Sequence, residues 1–226
     1  MSGPARRYVL VGGGGLAHTI CDVIAASGSG QVVALLDDRP GARGEQLFGA
    51  TVEGTFADLG PVVAGARADA VLLAIGGLKH MLVRAAYLAR LERLGLRGAA
   101  LIHPAAVLGQ HAVVGEGSVV GAGAVLGPEV GVGAGCVVYS GCVVEHECVL
   151  EDNVYLAPGV LFGGRARVGR DSYVGIGAKI ADRVAIGAGS IVGAGALVLR
   201  DVPPGVVCFG APAKVIGPND RYRSAP

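Results

Sequence analysis

The residues best suited to chemistry lie in the segment VVEHECVLED, residues 143–152. His146 stands there between Glu145 and Glu147, in a region otherwise built from Val, Gly and Ala. A carboxylate beside an imidazole raises the basicity of the ring and fixes its tautomer, which suits a general base working near neutral pH. The pattern makes His146 a candidate base and Glu147 the carboxylate that orients it. A solvated surface histidine is the alternative.

A glycine run supplies the second candidate site. Residues 12–17 read GGGGLA and fit G-x-G-x-x-A between a predicted strand and a predicted helix, and Asp37 follows Ala17 at the end of the next predicted strand. Backbone N–H groups at a helix N-terminus bind phosphate, so a dinucleotide and a nucleotide-sugar diphosphate are both suitable ligands. AIGG, residues 74–77, is a second candidate contact loop or a plain strand-to-helix turn.

The first hundred residues alternate between strand and helix patterns. RYVLVG, QVVALLDD and DAVLLAIG are predicted strands, and GLAHTICDVIAASG and LKHMLVRAAYLARLERLG are predicted helices, the second ending at Gly95. Together they predict a small, Rossmann-like α/β domain with a parallel sheet over residues 1–100. Such a unit is about half the size of a dinucleotide-binding domain and lacks the second mononucleotide-binding half. A nucleotide sugar is therefore as suitable a ligand as a dinucleotide.

From Ile102 to Pro203 the sequence repeats every six residues without an insertion. All seventeen first positions are aliphatic or Phe, the fifth positions are small, and Gly fills ten of the seventeen second positions. This is the pattern of a hexapeptide β-helix, in which three hexads form one triangular coil and coils stack at about 4.8 Å. The large first residues and small fifth residues point inward, and Gly at the corners supplies positive φ.

The same register orients the remaining reactive side chains. Cys136, Cys142 and Cys148 share the fifth position, so their thiols are expected to face the interior as packing groups rather than as a metal cluster or nucleophile. His146 occupies a third position, which faces outward near a corner. Residues eighteen apart stack, so His146 should lie beneath Gly164 and then Asp182.

The chain resembles a known family at several points. The chain is similar to the bacterial sugar acyltransferases that include sialic acid O-acetyltransferases and nucleotide-amino-sugar N-acetyltransferases. The similar segments are the Gly-rich β-α-β start, LIHPAAV, EHECVLEDNVYLAPGV and the C-terminal RDVPPGVVCFGAPAKVI. The resemblance covers nearly the whole chain. It implies a left-handed parallel β-helix over residues 101–216, followed by a tail at 217–226, and a homotrimer with acetyl-CoA bound between neighbouring prisms.

The resemblance also implies site residues. It implies His146 as the base and Glu147 as its partner, with Gly14, Gly15 and Leu16 cradling the substrate. Asp37 and Asp38 are then expected near the base or ribose. Pantetheine running along a prism edge is expected to meet the following residues: Gly164, Ile176, Asp182 and Ala194.

The sequence departs from the family at two positions. Relatives usually carry a second histidine where this chain has Tyr155, in YLAPG, and a histidine where it has Leu16. Tyr155 keeps a hydroxyl but loses a titratable ring at the expected acyl-donor side.

These features lead to one functional prediction and two alternatives. The prediction is acetyl transfer from acetyl-CoA to the amine of a nucleotide-linked amino-deoxy sugar. O-acetylation of a sugar of the sialic acid type is the first alternative, and a non-catalytic nucleotide-sugar-binding scaffold is the second. A thioacyl intermediate on Cys148 and a carbonic-anhydrase-type metal site are both disfavoured.

Composition restricts the remaining classes. A net charge of +1 offers no broad basic surface for nucleic acid, and the N-terminal segment makes neither a signal peptide nor a membrane span. Five cysteines without CxxC spacing favour reduced thiols, so a cytoplasmic protein without a bound metal is expected.

Overall fold

The computed structural model describes residues 6–220. Its first part is a five-stranded sheet in the order β3-β4-β2-β1-β5, flanked by three helices. The strands are β1 Arg6–Val11, β2 Gly30–Leu36, β3 Gln46–Leu47, β4 Ala50–Gly54 and β5 Ala70–Leu73, and the helices are α1 Gly15–Ser27, α2 Leu59–Ala66 and α3 Met81–Arg93. Two 3₁₀ turns, Phe56–Asp58 and Leu78–His80, precede α2 and α3.

The predicted parallel α/β sheet is confirmed, with two additions. β1 pairs in parallel with β2 and β5, and β2 pairs in parallel with β4. The hairpin of β3 with β4 and the helix α2 were not predicted. The α2 segment LGPVVAGA contains two glycines and a proline, which disfavour a helix locally, but Pro61 lies in the first turn, where a missing N–H costs little.

The six-residue repeat forms a triangular prism of two-residue strands. Each strand contains the sixth residue of one hexad and the first residue of the next. These strands are β6 Leu101–Ile102, β7 Val107–Leu108, β8 Val113–Val114, β9 Val119–Val120, β10 Val125–Leu126, β11 Gly131–Val132, β12 Val137–Val138, β13 Val143–Val144, β14 Val149–Leu150, β15 Tyr155–Leu156, β16 Leu161–Phe162, β17 Arg167–Val168, β18 Tyr173–Val174, β19 Lys179–Ile180, β20 Ala185–Ile186, β21 Ile191–Val192 and β22 Leu197–Val198.

Three parallel sheets form the prism walls. We call them the first wall (β7, β10, β13, β16, β19, β22), the second wall (β8, β11, β14, β17, β20) and the third wall (β6, β9, β12, β15, β18, β21, β23, β24). Successive strands of a wall are eighteen residues apart, as in the pairing of Val125 with Val143. The β-helix that the hexads predicted is confirmed, with the left hand that the family resemblance implied.

Stacked aliphatic side chains fill the prism. Leu126, Val144 and Leu156 at first positions are fully buried, and the fifth positions are buried from Ser118 onward, whereas Ala106 and Ala112 at the start of the prism are partly buried. The predicted inward orientation of Cys136, Cys142 and Cys148 is confirmed, since each is 0% exposed. The narrow prism thus replaces the aromatic core that this composition lacks.

The glycines of the repeat have two different functions. Positive φ occurs at the fourth position of the hexads, as at Gly141 with φ 69°. The second-position glycines, which the sequence analysis did not separate from these, are instead required by close approach between coils. A Cβ on Gly115 would lie 2.6 Å from backbone atoms of Gly133 in the next coil.

The α/β part packs against the third wall. Leu16 and Ile20 of α1 share a buried cluster with Val119, Val137 and Tyr155 of that wall. The first and second walls retain exposed apolar side chains, including Val107 at 58%, Val113 at 62% and Leu161 at 39% exposure. One wall is therefore covered within the chain and two remain open.

The C-terminal end of the described chain closes the prism. β23 Val206–Phe209 extends the third wall and pairs in antiparallel fashion with β24 Lys214–Pro218. The predicted tail at 217–226 thus begins within β24, and residues 221–226 lie outside the described residues. None of the helices within residues 6–220 is long and apolar enough to cross a bilayer.

Candidate active site

His146 lies on the corner between the first and second walls. It follows β13 at the third position of its hexad, and its side chain is 49% exposed, so the predicted outward orientation is confirmed. Nδ1 of His146 lies 2.9 Å from Oε2 of Glu147. No residue within 6–220 hydrogen-bonds to Nε2. The ring is therefore held from one nitrogen and presents the other.

Glu147 lies at the turn of the corner, directly after His146. It occupies a fourth position with φ 58°, a left-handed conformation that turns the chain at the corner. Oε2 of Glu147 also accepts a hydrogen bond of 2.9 Å from Nε of Arg165 in the next coil. The hydrogen bonds from His146 and then from Arg165 lower the pKa of Glu147 below its usual value. The carboxylate therefore stays ionised beside the imidazole.

A groove of about 360 Å³ runs along this corner from His146. Its lining comprises His146, Gly164, Arg165, Asp182 and Arg183. The predicted residues Gly164 and Asp182 do lie with His146. Oδ1 of Asp182 accepts the N–H of Gly164 at 2.8 Å, so this carboxylate fixes the backbone above the imidazole.

Ile176 and Ala194 lie on a different corner, between the third and first walls. The N–H of Gly195 donates to the carbonyl of Ile176 at 2.7 Å, which stacks these two coils. Both residues are exposed, Ile176 by 60%. Within one chain the structure does not bring them to His146.

The glycine run opens onto a second cavity, of about 790 Å³, between the α/β sheet and the third wall. All five predicted substrate residues line it, and so does the second candidate loop, residues 74–77. The five residues are Gly14, Gly15, Leu16, Asp37 and Asp38. We call this cavity the glycine-loop pocket.

The glycines of this pocket leave space in front of a helix N-terminus. α1 begins at Gly15, so its first N–H groups are available to an anion. A Cβ on Gly14 or Gly15 would meet no protein atom within 4 Å, whereas a Cβ on Gly13 would lie 2.7 Å from Cδ1 of Leu47. Gly13 is needed for packing, and Gly14 and Gly15 keep the pocket open.

Both predicted carboxylates are already engaged within the protein. Asp37 accepts hydrogen bonds from the N–H of Gly13 at 2.9 Å and from the backbone and Nε of Arg39 at 2.9 and 3.0 Å. Burial alone would raise its pKa, but the bonds from Arg39 and Gly13 outweigh that and lower it. Asp38 accepts the N–H of Phe56 and the hydroxyl of Tyr87. Both carboxylates therefore have partners on the segments that line the pocket before any ligand is bound.

Sequence reasoning missed several pocket residues. Arg39, which pairs with Asp37 and Glu45, and Tyr87, whose pKa is raised to about 12 by burial and by Asp38, both line the cavity. Arg39 directly follows the predicted DD pair, which was an available signal. Tyr87 lies on α3, and its place could be found only from the tertiary structure.

Tyr155 lies in the glycine-loop pocket rather than beside His146. It is 5% exposed, and its ring is stacked with Tyr173, the centroids 5.3 Å apart, and tilted against Tyr139 at 5.5 Å. Burial raises the pKa of its hydroxyl. Within one chain Tyr155 faces the glycine loop, because its strand belongs to the wall that the α/β part covers. Its expected contact with the acyl donor stays a prediction.

The buried cysteines are not poised for chemistry. Burial raises the pKa of Cys136 to about 12 and that of Cys142 to about 11. Cys148, close to His146 in sequence, donates its Sγ hydrogen inward to the carbonyl of Gly163, with 3.1 Å between Sγ and O. Across residues 6–220, no three His, Cys, Asp or Glu side chains are grouped to hold a metal ion.

The chain is similar to solved acyltransferases over nearly its whole length. The family model for bacterial transferase hexapeptide (six repeats) matches residues 165–200. PerB from Caulobacter crescentus, solved with CoA and GDP-perosamine, is 32% identical over 93% of this chain and 97% of that chain, with a TM-score of 0.84. No curated protein sequence matches the chain.

Two further structures are similar. The acetyltransferase domain of PglB from Neisseria gonorrhoeae, solved with acetyl coenzyme A, is 31% identical over 94% of this chain and 100% of that chain, with a TM-score of 0.84. WeeI from Acinetobacter baumannii is 28% identical over 92% and 99%, with a TM-score of 0.79. The chain therefore belongs to the sugar acyltransferases of the left-handed β-helix, hexapeptide-repeat type.

Proposed function

We propose that this acyltransferase moves the acetyl group of acetyl-CoA onto the amine of a nucleotide-linked amino-deoxy sugar. The observation that carries the proposal is the pair His146–Glu147: one ring nitrogen is held by a carboxylate and the other is free at the edge of a groove. The similar structures with CoA and GDP-perosamine, and with acetyl coenzyme A, support the donor and the acceptor class.

In this proposal His146 acts as the general base. Nε2 of His146 removes the proton that the amine loses as its nitrogen attacks the thioester carbonyl. The C–S bond then breaks, the amide forms, and the imidazolium returns the proton to the departing CoA thiolate. Glu147 stabilises the transient imidazolium through Nδ1, and no covalent enzyme intermediate is required.

The glycine-loop pocket is the proposed site of the nucleotide sugar. Its open glycines and the N-terminus of α1 suit a diphosphate, and GDP-perosamine in the similar Caulobacter structure supports a nucleotide-linked acceptor. We assign substrate binding to residues 1–100 and acetyl transfer to residues 101–216. We propose that the reaction takes place in the cytoplasm.

The geometry of the prism supports a homotrimer. His146 lies on the corner opposite the third wall, whereas the glycine-loop pocket lies against that wall, and the two cavities share no lining residue. Within one chain His146 is therefore not part of the lining of the glycine-loop pocket. A neighbouring copy supplies the base, and its approach covers the exposed apolar side chains of the open walls.

The same arrangement defines the proposed path of acetyl-CoA. The pantetheine arm lies between two prisms, with Gly164 and Asp182 of the His146 corner on one side. Ile176 and Ala194 lie on the facing corner of the neighbouring copy. Tyr155, which lines the glycine-loop pocket, is proposed to meet the acetyl end of acetyl-CoA where it reaches the acceptor.

The test is product analysis by mass spectrometry. The enzyme is incubated with acetyl-CoA and a panel of GDP-, UDP- and dTDP-linked amino sugars, with the corresponding hydroxyl sugars as controls. The proposal expects a single N-acetylated product and a loss of about 10²–10⁴-fold in kcat in His146→Ala. O-acetylation alone, full activity in His146→Ala, or a fully active monomer in sedimentation experiments would contradict it.

A further inference from the structure

Arg84 is a fully buried cation that the proposed reaction does not use. It lies in α3 with 1% of its surface exposed. Burial lowers the pKa of its guanidinium to about 10, so the side chain stays charged at neutral pH. None of the ion pairs within residues 6–220 involves Arg84. Burying a charged guanidinium without a carboxylate partner costs desolvation free energy, so its hydrogen bonds must offset that cost.

The guanidinium joins two parts of the fold through three hydrogen bonds. Nη1 donates to the carbonyl of Ile75 at 2.5 Å, Nη2 to the carbonyl of Gly135 at 2.7 Å, and Nε to Oδ1 of Asn153 at 3.1 Å. Ile75 belongs to the loop after β5, and Gly135 and Asn153 belong to the corner between the second and third walls. One side chain thus fixes the α/β part to the prism.

Asn153 extends this connection to the next coil. Its Nδ2 donates to Oδ1 of Asp171 at 2.8 Å and to the carbonyl of Met81, the first residue of α3, at 3.4 Å. Asn153 is 3% exposed. The amide therefore has a fixed orientation, with its oxygen directed at Arg84.

The loop held by Arg84 forms one side of the glycine-loop pocket. Ile75, Gly76 and Gly77 all line the cavity. A Cβ on Gly76 would lie 2.9 Å from the hydroxyl of Tyr155 and 3.0 Å from Cβ of Leu16. The loop is thus confined between the prism and the glycine run, so a small shift of Ile75 changes the shape of the pocket.

We infer that Arg84 is a positioning residue that holds the Ile75–Gly77 loop against the prism and so keeps the glycine-loop pocket formed before the ligand binds. The inference rests on the proposed function, because it assigns the pocket to a nucleoside diphosphate. Arginine suits this role because its planar guanidinium directs donors to three separate acceptors at once. Lysine offers one compact ammonium and cannot reach all three.

The experiment compares Arg84→Lys and Arg84→Met with Arg93→Met, a matched control on the exposed side of the same helix. Calorimetry measures the binding of GDP, UDP, dTDP and, separately, CoA to each full-length protein. Circular dichroism and sedimentation verify that each variant keeps the fold and assembly of the wild type. Steady-state kinetics give KM for the nucleotide sugar and for acetyl-CoA.

The expected result is a selective loss of nucleotide binding. Both Arg84 variants should bind the nucleoside diphosphate about tenfold or more weakly and should raise KM for the nucleotide sugar by a similar factor. Displacing a ligand-contacting loop by about 1 Å has effects of at least that size. The affinity for CoA should stay within about twofold, since its groove lies on other corners of the prism, and Arg93→Met should match the wild type.

Other outcomes separate the inference from the proposed function. If folded Arg84→Met binds the nucleotide as the wild type does, or loses nucleotide and CoA binding together, the positioning role is wrong. If Arg84→Met does not fold, the same comparison is made with Arg84→Lys: wild-type nucleotide binding, or loss of nucleotide and CoA binding together, would again show that the positioning role is wrong. If the wild type itself binds none of the three nucleotides, the proposed substrate class fails instead.

Discussion

Gly164 lies directly over the imidazole of His146: a Cβ built on Gly164 would come within 2.5 Å of Nε2 and 2.6 Å of Cε1. Glu147 holds the ring at Nδ1, and the lack of a side chain at residue 164 leaves the space beside Nε2 open to the groove. This arrangement depends on the coil spacing of the prism, because residues eighteen apart stack on one corner. It makes the absence of a side chain at residue 164 part of the site.

Gly164→Ala should displace the imidazole and lower kcat by about tenfold to hundredfold, because the base would no longer reach its productive position. The backbone of Gly164 does not have positive φ, so the fold should persist. The measurement is kcat together with Tm. Gly131→Ala is the matched control, since a Cβ there meets no atom within 4 Å. Equal activity of the two variants would show that the position of the ring is not critical.

Glu147→Gln should reduce kcat by about tenfold, the equivalent of about 1.4 kcal/mol of lost stabilisation of the imidazolium. KM for both substrates should change little, because the carboxylate acts through His146. Arg165→Gln should have a smaller effect, since Arg165 contacts Glu147 and acts on His146 only through it. Glu129→Gln is the matched control, because Glu129 has φ 59° at the equivalent position one coil earlier. A wild-type kcat in Glu147→Gln would remove the carboxylate from the mechanism.

Asp37→Asn should destabilise the glycine loop in a pH-dependent manner. The folded-state pKa of Asp37 is lowered, so its contribution is present above the unfolded-state value of about 3.9 and is lost as pH falls through the folded-state value. At pH 7 the variant should melt about 2–4 °C lower, the effect of about 1 kcal/mol in a chain of this size. Melting curves from pH 7 to pH 3 should show the difference shrinking in acid.

The control for this experiment is Glu116→Gln, which alters an exposed carboxylate. Its Tm should follow that of the wild type at every pH. A difference between the wild type and Asp37→Asn that stays constant from pH 7 to pH 3 would mean that the ionisation of Asp37 does not stabilise the loop.

Gly115→Ala should destabilise the prism without touching either cavity. The added Cβ would lie 2.6 Å from the backbone of Gly133, so two coils must separate locally, at a cost of about 1–3 kcal/mol. Thermal or chemical unfolding against Gly131→Ala measures the cost. Equal stability of the two variants would show that the second-position glycines are not required for close coil approach.

The prism could be predicted from the sequence in detail. Because each hexad contributes one strand and one corner, a period of six fixes which residues face inward, which stack and which are exposed. His146 and the three inward cysteines follow from that register alone. The α/β part was predicted less completely, since β3, β4 and α2 have short or glycine-rich sequences whose structure depends on packing against the rest of the sheet.

Only the tertiary structure decided which side chains share a cavity. Arg84 meets Ile75 and Gly135 through contacts between residues far apart in the chain, which no local pattern predicts. Arg165 stacks one coil above Glu147, as the spacing of eighteen residues requires, but only the structure shows that their side chains form a hydrogen bond. The structure also separated His146 from Tyr155, which lie nine residues apart but on different sides of the prism. The sequence determined the local period and the chemistry of each side chain, whereas the packing of the α/β part on one wall determined where those side chains meet.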